Sequence, residues 1–298
     1  MPELPEVETV ARGLASCVVG ARIRKVELCW PGCVKTAASA NVAHGACGLP
    51  RDVREFSRRL TGNTVRKVTR RGKWLVLHLL GEDCLLIHLR MSGQLLADPQ
   101  NCTKDRHTRA LFTLELPCGG KKKRTLYLRF RDMRKFGRLL LTDRPADLFA
   151  RLGPEPLSRS FTAARLASQL TARGAPIKNL LLDQQFLAGV GNIYANEALW
   201  RARIHPLKRG RDLTPDEVKR LYRCIRSALR DGIAAGGTTL SKNGLFRAAD
   251  GQSGGFEKAL AVYGRSGQNC MRCHTPIERC VVAQRSTFFC PCCQPAPQ

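Results

Sequence analysis

The chain has 298 residues, enough for one large domain or two ordinary ones, and its 43% hydrophobic content excludes a disordered polyelectrolyte. Fifty Lys and Arg face 24 Asp and Glu, a net charge of +26, which points to a polyanionic partner, nucleic acid ahead of an anionic membrane. No run approaches the ~18 apolar residues of a membrane span and no basic-then-apolar leader opens the chain, so a soluble, unexported, cytoplasmic protein is expected.

The chain opens Met1-Pro2-Glu3-Leu4-Pro5-Glu6-Val7-Glu8-Thr9. If Met1 is removed, Pro2 presents a secondary amine, which attacks an aldehyde-like carbon and gives a charged iminium directly. An α-amino group titrates near pH ~8, so a useful fraction is neutral at pH 7, and the Glu3 or Glu6 carboxyl can supply a proton. The alternative is a frayed acidic terminus. Residues 9–14 predict a short helix behind it. From Ala21 to Thr142 the pattern is mostly strands: Trp74–Leu79, Cys84–Leu89, Ala110–Leu116, Thr125–Phe130 and Arg138–Leu141 are short apolar or alternating runs. Turn signals at Gly81-Glu82-Asp83, Asp98-Pro99 and Cys118-Gly119-Gly120 separate them, and the series predicts a sandwich or barrel. The Lys121-Lys122-Lys123-Arg124 run reads as a solvated hairpin loop.

Arg151 to Pro156 reads as a linker, after which the periodicity turns helical. Short helices are expected from Phe161 to Arg173, around Ile177 to Leu182 and from Asn192 to Arg201. Thr214-Pro215-Asp216-Glu217 is a capping box with proline at the first helical position. Behind it Val218, Leu221, Tyr222, Ile225 and Leu229 share one face, and Gly236-Gly237 closes the helix. Residues 241–255, rich in Gly and Ser, predict a mobile loop.

Of fourteen cysteines, eight (Cys17, Cys29, Cys33, Cys47, Cys84, Cys102, Cys118, Cys224) lack metal spacing and read as reduced thiols. The other six crowd the last thirty residues, where Cys270-x2-Cys273 and Cys290-x2-Cys293 suit one tetrahedral, structural zinc around a β-hairpin. Cys292 competes with Cys293, which the geometry of an x2 turn favours. So short a tail has no core of its own to fold on. Arg285, with Ser286 and Thr287 beside it, reads equally as a phosphate clamp or a solvated hairpin arginine. Gly189-Val190-Gly191-Asn192 is a glycine turn feeding a helix, a weak phosphate signal alone. In Asp132-Met133-Arg134-Lys135-Phe136-Gly137 a wedge-sized aromatic stands among cations; Phe136 enters a base stack or, the blander reading, the sandwich core. Met91 offers a second apolar probe at a strand end, and Arg70-Arg71-Gly72-Lys73 supplies cations before a strand.

In chain order, Pro2 to Thr9, His88-Leu89-Arg90-Met91-Ser92-Gly93, Arg134-Lys135-Phe136-Gly137, Asp183-Gln184 with Gly189 to Glu197, Gly236-Gly237-Thr238-Thr239, Val262-Tyr263-Gly264-Arg265 and the four-cysteine tail resemble the formamidopyrimidine-DNA glycosylase family over essentially the whole chain. The resemblance implies an α+β protein. It has an N-terminal catalytic β-sandwich domain (1–150) and a helical helix-two-turn-helix domain with a lid loop (151–262). A zinc-finger β-hairpin follows (263–298). It implies a monomeric base-excision-repair enzyme acting on damaged double-stranded DNA, both glycosylase and AP lyase, for 8-oxoguanine and formamidopyrimidines. By the same resemblance Pro2 attacks the sugar, Glu3 moves protons and Glu6 orients the nucleoside or the amine. Lys73, Asn192 and Arg285, joined by Lys178, match phosphate-binding positions. Met91, Arg134 and Phe136, with Lys135 beside them, match the group that fills the gap left by a flipped nucleotide. The family's lid corresponds to residues 238–255. Gly255 departs from the pattern where an aromatic is usual, residues 32–50 match poorly, and Trp74 replaces a usual tyrosine.

Two other readings stay open. An endonuclease VIII type would share the fold and prefer oxidised pyrimidines; Leu4 and the Arg134–Phe136 segment favour the purine enzyme. A non-catalytic damaged-DNA-binding protein would keep the basic groove and the zinc hairpin, and Pro2, Glu3, Glu6 and Lys73 together speak against it.

Overall fold

The structure, a computed structural model, describes residues 1–37, 48–100, 103–117, 124–239 and 246–297. The thiols of Cys47, Cys102 and Cys118, the Lys121–Lys123 run and residues 241–245 of the expected loop lie outside the described residues. The chain divides into two compact bodies, Met1–Ala150 with Gly236–Gly255, and Arg151–Ala235 with Phe256–Gln298. The segment 236–255 thus groups with the first body, although it follows the second body's helices in the chain.

In the first body, helix α1 (Leu4–Val18) starts five residues earlier than the periodicity predicts. Its cap explains the difference. The Glu6 carboxylate accepts the Glu3 N–H at 2.8 Å while the Glu3 side chain accepts the Glu6 N–H, a capping box built from two glutamates around Pro5. Val7, Val10, Leu14 and Val18 recur at helical spacing and are buried. Strands β1 (Arg22–Leu28) and β2 (Val34–Lys35) follow, then helix α2 (Val53–Leu60), which lies inside the region read as strands. Its Asp52 cap accepts the Glu55 N–H at 2.8 Å, and it buries Phe56 and Leu60 one turn apart. Strands β3 (Val65–Arg71), β4 (Trp74–Leu79), β5 (Cys84–His88), β6 (Gly93–Asp98), β7 (Thr108–Leu116), β8 (Arg124–Asp132) and β9 (Arg138–Thr142) complete the body, with a short helix α3 (Pro145–Phe149).

The strands form two sheets, in the orders β1-β7-β8-β6 and β2-β9-β5-β4-β3, antiparallel except for β2 beside β9. One hydrophobic cluster joins them: Ile23, Phe112, Leu128 and Phe130 from the first sheet, Leu75, Leu77, Leu85, Ile87 and Leu139 from the second, with α1 and α2 contributing Leu14 and Phe56. The two sheets face each other across this core as a sandwich with flanking helices, and the second sheet also buries Val76, Cys84, Leu86 and Leu140 on its other face. The 246–249 stretch joins the same core through Phe246 and Ala249, and the Ala97 N–H on β6 donates to the Ala249 carbonyl at 2.8 Å.

The second body holds α4 (Ala163–Leu170), α5 (Ile177–Leu182), α6 (Asn192–Ala202) and α7 (Pro215–Ala234), then the hairpin β10 (Glu278–Val282) and β11 (Arg285–Phe289). The Thr214–Glu217 capping box forms as its sequence predicts, and Val218, Leu221, Ile225 and Leu229 are buried. Helices α6 and α7 approach closely at Gly232, where an added Cβ would lie 2.5 Å from the Tyr194 ring. The Glu197 carboxylate on α6 is fully buried and accepts the N–H groups of Ala261, Val262 and Tyr263 at 2.9–3.0 Å, which fixes the chain entering the hairpin.

Candidate active site and nucleic-acid interface

At the start of α1, Pro2, Glu3 and Glu6 are all buried, with Glu3 and Glu6 only 3% and 2% exposed, while Met1 is half exposed. An acidic terminus that merely frays would not bury two carboxylates. Glu6 is held from both sides: one oxygen takes the Glu3 N–H, and the other takes the Thr238 N–H at 2.8 Å. Gly237 makes this possible. Its φ is +85°, and an added Cβ would stand 3.1 Å from the Glu6 Cγ. Gly254 approaches the Gly237 carbonyl so closely that a Cβ would come within 2.3 Å of it, and Thr238 bridges to Gly255. The Thr239 hydroxyl accepts the Gly254 N–H at 2.8 Å and donates to the Phe246 carbonyl. The segment that follows α7 therefore touches the Glu6 carboxylate directly, and Gly255 sits exposed at its bridge.

Lys73 stands at the β3–β4 turn, where Gly72 has φ +56°, and is 6% exposed. Arg70 on the same turn donates to Glu8 of α1 at 3.0 Å and to the Gly72 carbonyl at 3.0 Å, tying the turn to the helix that begins at Leu4. Burial works to raise the Glu8 carboxyl, but Arg12 and Arg70 outweigh it and hold the group below the usual carboxylate range. His88 packs edge-on against Trp74 at 4.7 Å, and its Nδ1 accepts the Arg90 N–H. Burial first, then Arg90 and Lys73, push its pKa down to about 3, so the ring is neutral at physiological pH.

The β5–β6 and β8–β9 loops bring together the three side chains suggested as a wedge. The Arg134 guanidinium lies over the Phe136 ring at 4.8 Å and donates to the Met91 sulfur at 3.3 Å. Met91 and Phe136 are exposed, at 38% and 42%. The core reading of Phe136 is therefore wrong, because the core space beneath the loop is taken by Phe130: a Cβ at Gly137 would meet that ring at 2.4 Å. Asp132, buried at the end of β8, organises both loops. It accepts the Ser92 hydroxyl and the N–H groups of Arg134 at 3.1 Å and Gly137 at 2.7 Å. Lys135, at φ +59°, reaches over the Trp30 ring. Neither Asp132 nor Ser92 was singled out from the sequence; an Asp just ahead of an Arg-Lys-Phe-Gly turn is the signal that could have found them.

In the second body the glycine turn delivers Asn192 to the first position of α6. Gln184 staples that turn, donating to the carbonyls of Leu182 and Val190 and accepting the Gly189 N–H at 2.9 Å. The Asn192 amide donates to the Ser286 carbonyl at 2.9 Å, so the helix start and the hairpin tip touch. Arg285 is exposed beside the tip turn, where Ala283 and Gln284 both have positive φ. Lys178 is placed differently from an open phosphate contact: it is fully buried, and its ammonium donates to Thr287 Oγ1 at 2.6 Å, the Ser286 carbonyl at 3.1 Å and Asn196 Oδ1 at 3.3 Å. It anchors the strand that carries Arg285.

The sulfurs of Cys270, Cys273, Cys290 and Cys293 lie within 4.8 Å of one another, with pairs at 3.4 to 4.0 Å. Tetrahedral zinc at about 2.3 Å from each thiolate separates sulfurs by about 3.8 Å, so the cluster fits one ion. Backbone N–H groups of Arg272 and Cys293 donate to Cys270 and Cys290 at 3.4 Å, as thiolate ligands require. The Thr275 hydroxyl above all draws the Cys273 thiol down to about 6. Cys292 is exposed and outside the cluster, which resolves the competition in favour of Cys293.

A sandwich body opening on Pro-Glu, together with a helical body whose glycine turn meets a four-cysteine hairpin, defines a zinc-finger-bearing DNA glycosylase of the helix-two-turn-helix class. Family models agree along the chain. The formamidopyrimidine-DNA glycosylase N-terminal domain matches residues 1–139, the formamidopyrimidine-DNA glycosylase H2TH domain matches 152–243, and the zinc finger found in FPG and IleRS matches 267–296. The formamidopyrimidine-DNA glycosylase of Chloroflexus aurantiacus is 46% identical over 297 residues, covering 99% of this chain and 98% of that one. That of Herpetosiphon aurantiacus is 43% identical over 99% and 100% of the two chains. Among solved structures, Lactococcus lactis Fpg in complex with DNA containing Fapy-dG superposes with a TM-score of 0.83 at 32% identity, covering 99% of this chain and all of that one. The wild-type Lactococcus lactis Fpg bound to DNA containing an oxidised pyrimidine gives 0.83 at 33%, with the same coverage. The chain belongs to the formamidopyrimidine-DNA glycosylase family. Among the described residues no helix is long and apolar enough to cross a membrane.

Proposed function

We propose that this chain is a base-excision-repair DNA glycosylase and AP lyase. It would remove 8-oxoguanine and formamidopyrimidines from duplex DNA through an imine on Pro2, acting in the cytoplasm as a monomer. The observation that carries the reading is the buried pair Glu3 and Glu6 immediately behind Pro2, with Glu6 held by Glu3 and Thr238. Removal of Met1, which is half exposed, converts the Pro2 nitrogen from an amide to a secondary amine. That amine attacks C1′ of the damaged nucleoside; the base departs and the sugar ring opens to an iminium. Glu3, one residue away, moves protons at the ring oxygen and then in the β- and δ-eliminations that cut the strand. Glu6, bonded to the Glu3 N–H, orients the nucleoside or the amine.

Met91, Arg134 and Phe136 stand exposed and already in mutual contact, so little ordering entropy is lost when they fill the gap of an extruded nucleotide. Arg134 would face the orphaned base, and Lys135 the backbone nearby. Lys73, Asn192 and Arg285 would bind phosphates, and Lys178 would hold the hairpin that presents Arg285. Zinc supplies the hairpin with a rigid tetrahedral knuckle and no chemistry of the reaction. The Lactococcus complex with an oxidised pyrimidine supports a substrate range that extends past purines. The test is excision on paired duplexes carrying either lesion opposite cytosine or adenine: faster release of the purine lesion opposite cytosine is expected, and release of the pyrimidine alone would move the chain to the endonuclease VIII type.

A further inference from the structure

Four arginines of the second body gather where α6 ends, around the half-buried Cys224 of α7. The Arg220 Nε donates to the Ala202 carbonyl at 2.5 Å, and Arg272 lies over the Trp200 ring at 4.2 Å while donating to the Trp200 carbonyl at 3.3 Å. Arg201 bonds Ser227 at 3.0 Å and Asp231 on α7; Arg223 bonds the Lys219 carbonyl one turn back, at 3.4 Å. Burial raises the Cys224 thiol on the same helix as Arg220 and Arg223, and Arg201, Arg220, Arg223 and Arg272 all pull against that. Asp231 is the carboxylate paired with one of them; Lys219, one turn from Arg223, has its own partner in Asp216.

Helix capping accounts for part of this. The last carbonyls of α6 attract cations. A helix end is served by one or two cations, however, and here Arg220 and Arg272 already serve it. Arg203, which is left-handed at φ +56°, closes the helix with its own N–H. The remaining charge is self-repelling on an exposed face, since Arg223 and Arg272 are both exposed. Each named bond engages a single nitrogen of a group with five N–H donors, which leaves donors to meet phosphate oxygens in pairs. Within the second body the face is also remote from Asn192 and Arg285, the residues of that body assigned to the lesion-bearing duplex. Asn192 and the hairpin tip sit at the start of α6, and Trp200 and Ala202 at its end, ~15 Å along the axis for ten residues of rise.

We propose that the Arg201–Arg220–Arg223–Arg272 face is a second polyanion site, which holds the phosphate backbone of another DNA segment and hands the protein from one duplex to the next. It rests on the DNA-directed reading above but not on the excision chemistry. The experiment follows dissociation from a labelled lesion-free duplex while unlabelled lesion-free duplex is raised in concentration. For the wild type the dissociation rate is expected to climb severalfold with competitor, because the second duplex binds before the first leaves. Arg223→Glu, and to a smaller degree Arg223→Gln, are expected to flatten that dependence while excision from a short lesion duplex is unchanged. A wild-type rate indifferent to competitor overturns the proposal and makes an acidic protein segment the better occupant. Variants that accelerate as the wild type does overturn it equally. A protein that transfers between duplexes but excises nothing would count against the glycosylase reading and leave this inference standing.

Discussion

Glu6 and Asp132 play parallel parts: each is a buried carboxylate whose lone pairs are spent on backbone N–H groups of the loop that must be held still. Glu6 binds the N–H groups of Glu3 and Thr238, and Asp132 those of Arg134 and Gly137 with the Ser92 hydroxyl. Removing such an acceptor leaves buried donors unpaired, a cost of about 1–3 kcal/mol. Asp132→Ala is therefore expected to lower the stability of the first body by that amount in urea unfolding. It should also weaken lesion binding, since Arg134 and Phe136 lose their frame. Gly237→Ala meets both a left-handed backbone and the Glu6 side chain, so excision should fall more steeply than stability. His88 gives a pH signature. Its folded pKa near 3 lies below the unfolded value, so stability is full above about pH 6.5 and is lost as pH falls, by about 2 kcal/mol at pH 5. Chemical denaturation from pH 7 to 5 should show the loss, and His88→Gln should flatten it.

At the scale of elements, legibility followed the physical signal each segment carries. Strand β4 and helix α5 have the bounds that their apolar runs predict, and the α7 capping box is plain in Thr214-Pro215-Asp216-Glu217. Helix α2 was hidden because only Phe56 and Leu60 face the core among five polar neighbours and Val53. The true start of α1 was hidden because its cap is a glutamate, a residue seldom read as one. The zinc hairpin was legible from spacing alone, whereas nothing in the sequence marks Lys178 as a fully buried tie instead of a surface cation. Its burial makes a sharp expectation. Lys178→Met takes the ammonium from Thr287 Oγ1, the Ser286 carbonyl and Asn196 Oδ1, leaving the last two with only the Asn192 amide and the Phe288 N–H, so the hairpin should loosen and DNA affinity fall, readable as faster amide exchange at residues 285–289. Chelation of zinc, or Cys273→Ala, should unfold the hairpin and abolish tight DNA binding while the sandwich keeps its own cooperative transition. DNA affinity that survives zinc loss would contradict the structural role.

For the whole molecule, the net charge of +26 sets the partner class, and the family assignment sets what the charge is for. Neutralising roughly six phosphates implies that log K falls with log[salt] at a slope near −5. A slope near zero would remove the DNA-binding reading altogether. None of these measurements reaches the chemistry as directly as borohydride trapping on a duplex with 8-oxoguanine opposite cytosine, with removal of Met1 verified by intact mass. A covalent protein–DNA adduct that maps to the Pro2 nitrogen is expected, lost in Pro2→Gly and strongly slowed in Glu3→Gln. Absence of any adduct from the mature wild type, with affinity for the duplex intact, would contradict an imine on Pro2.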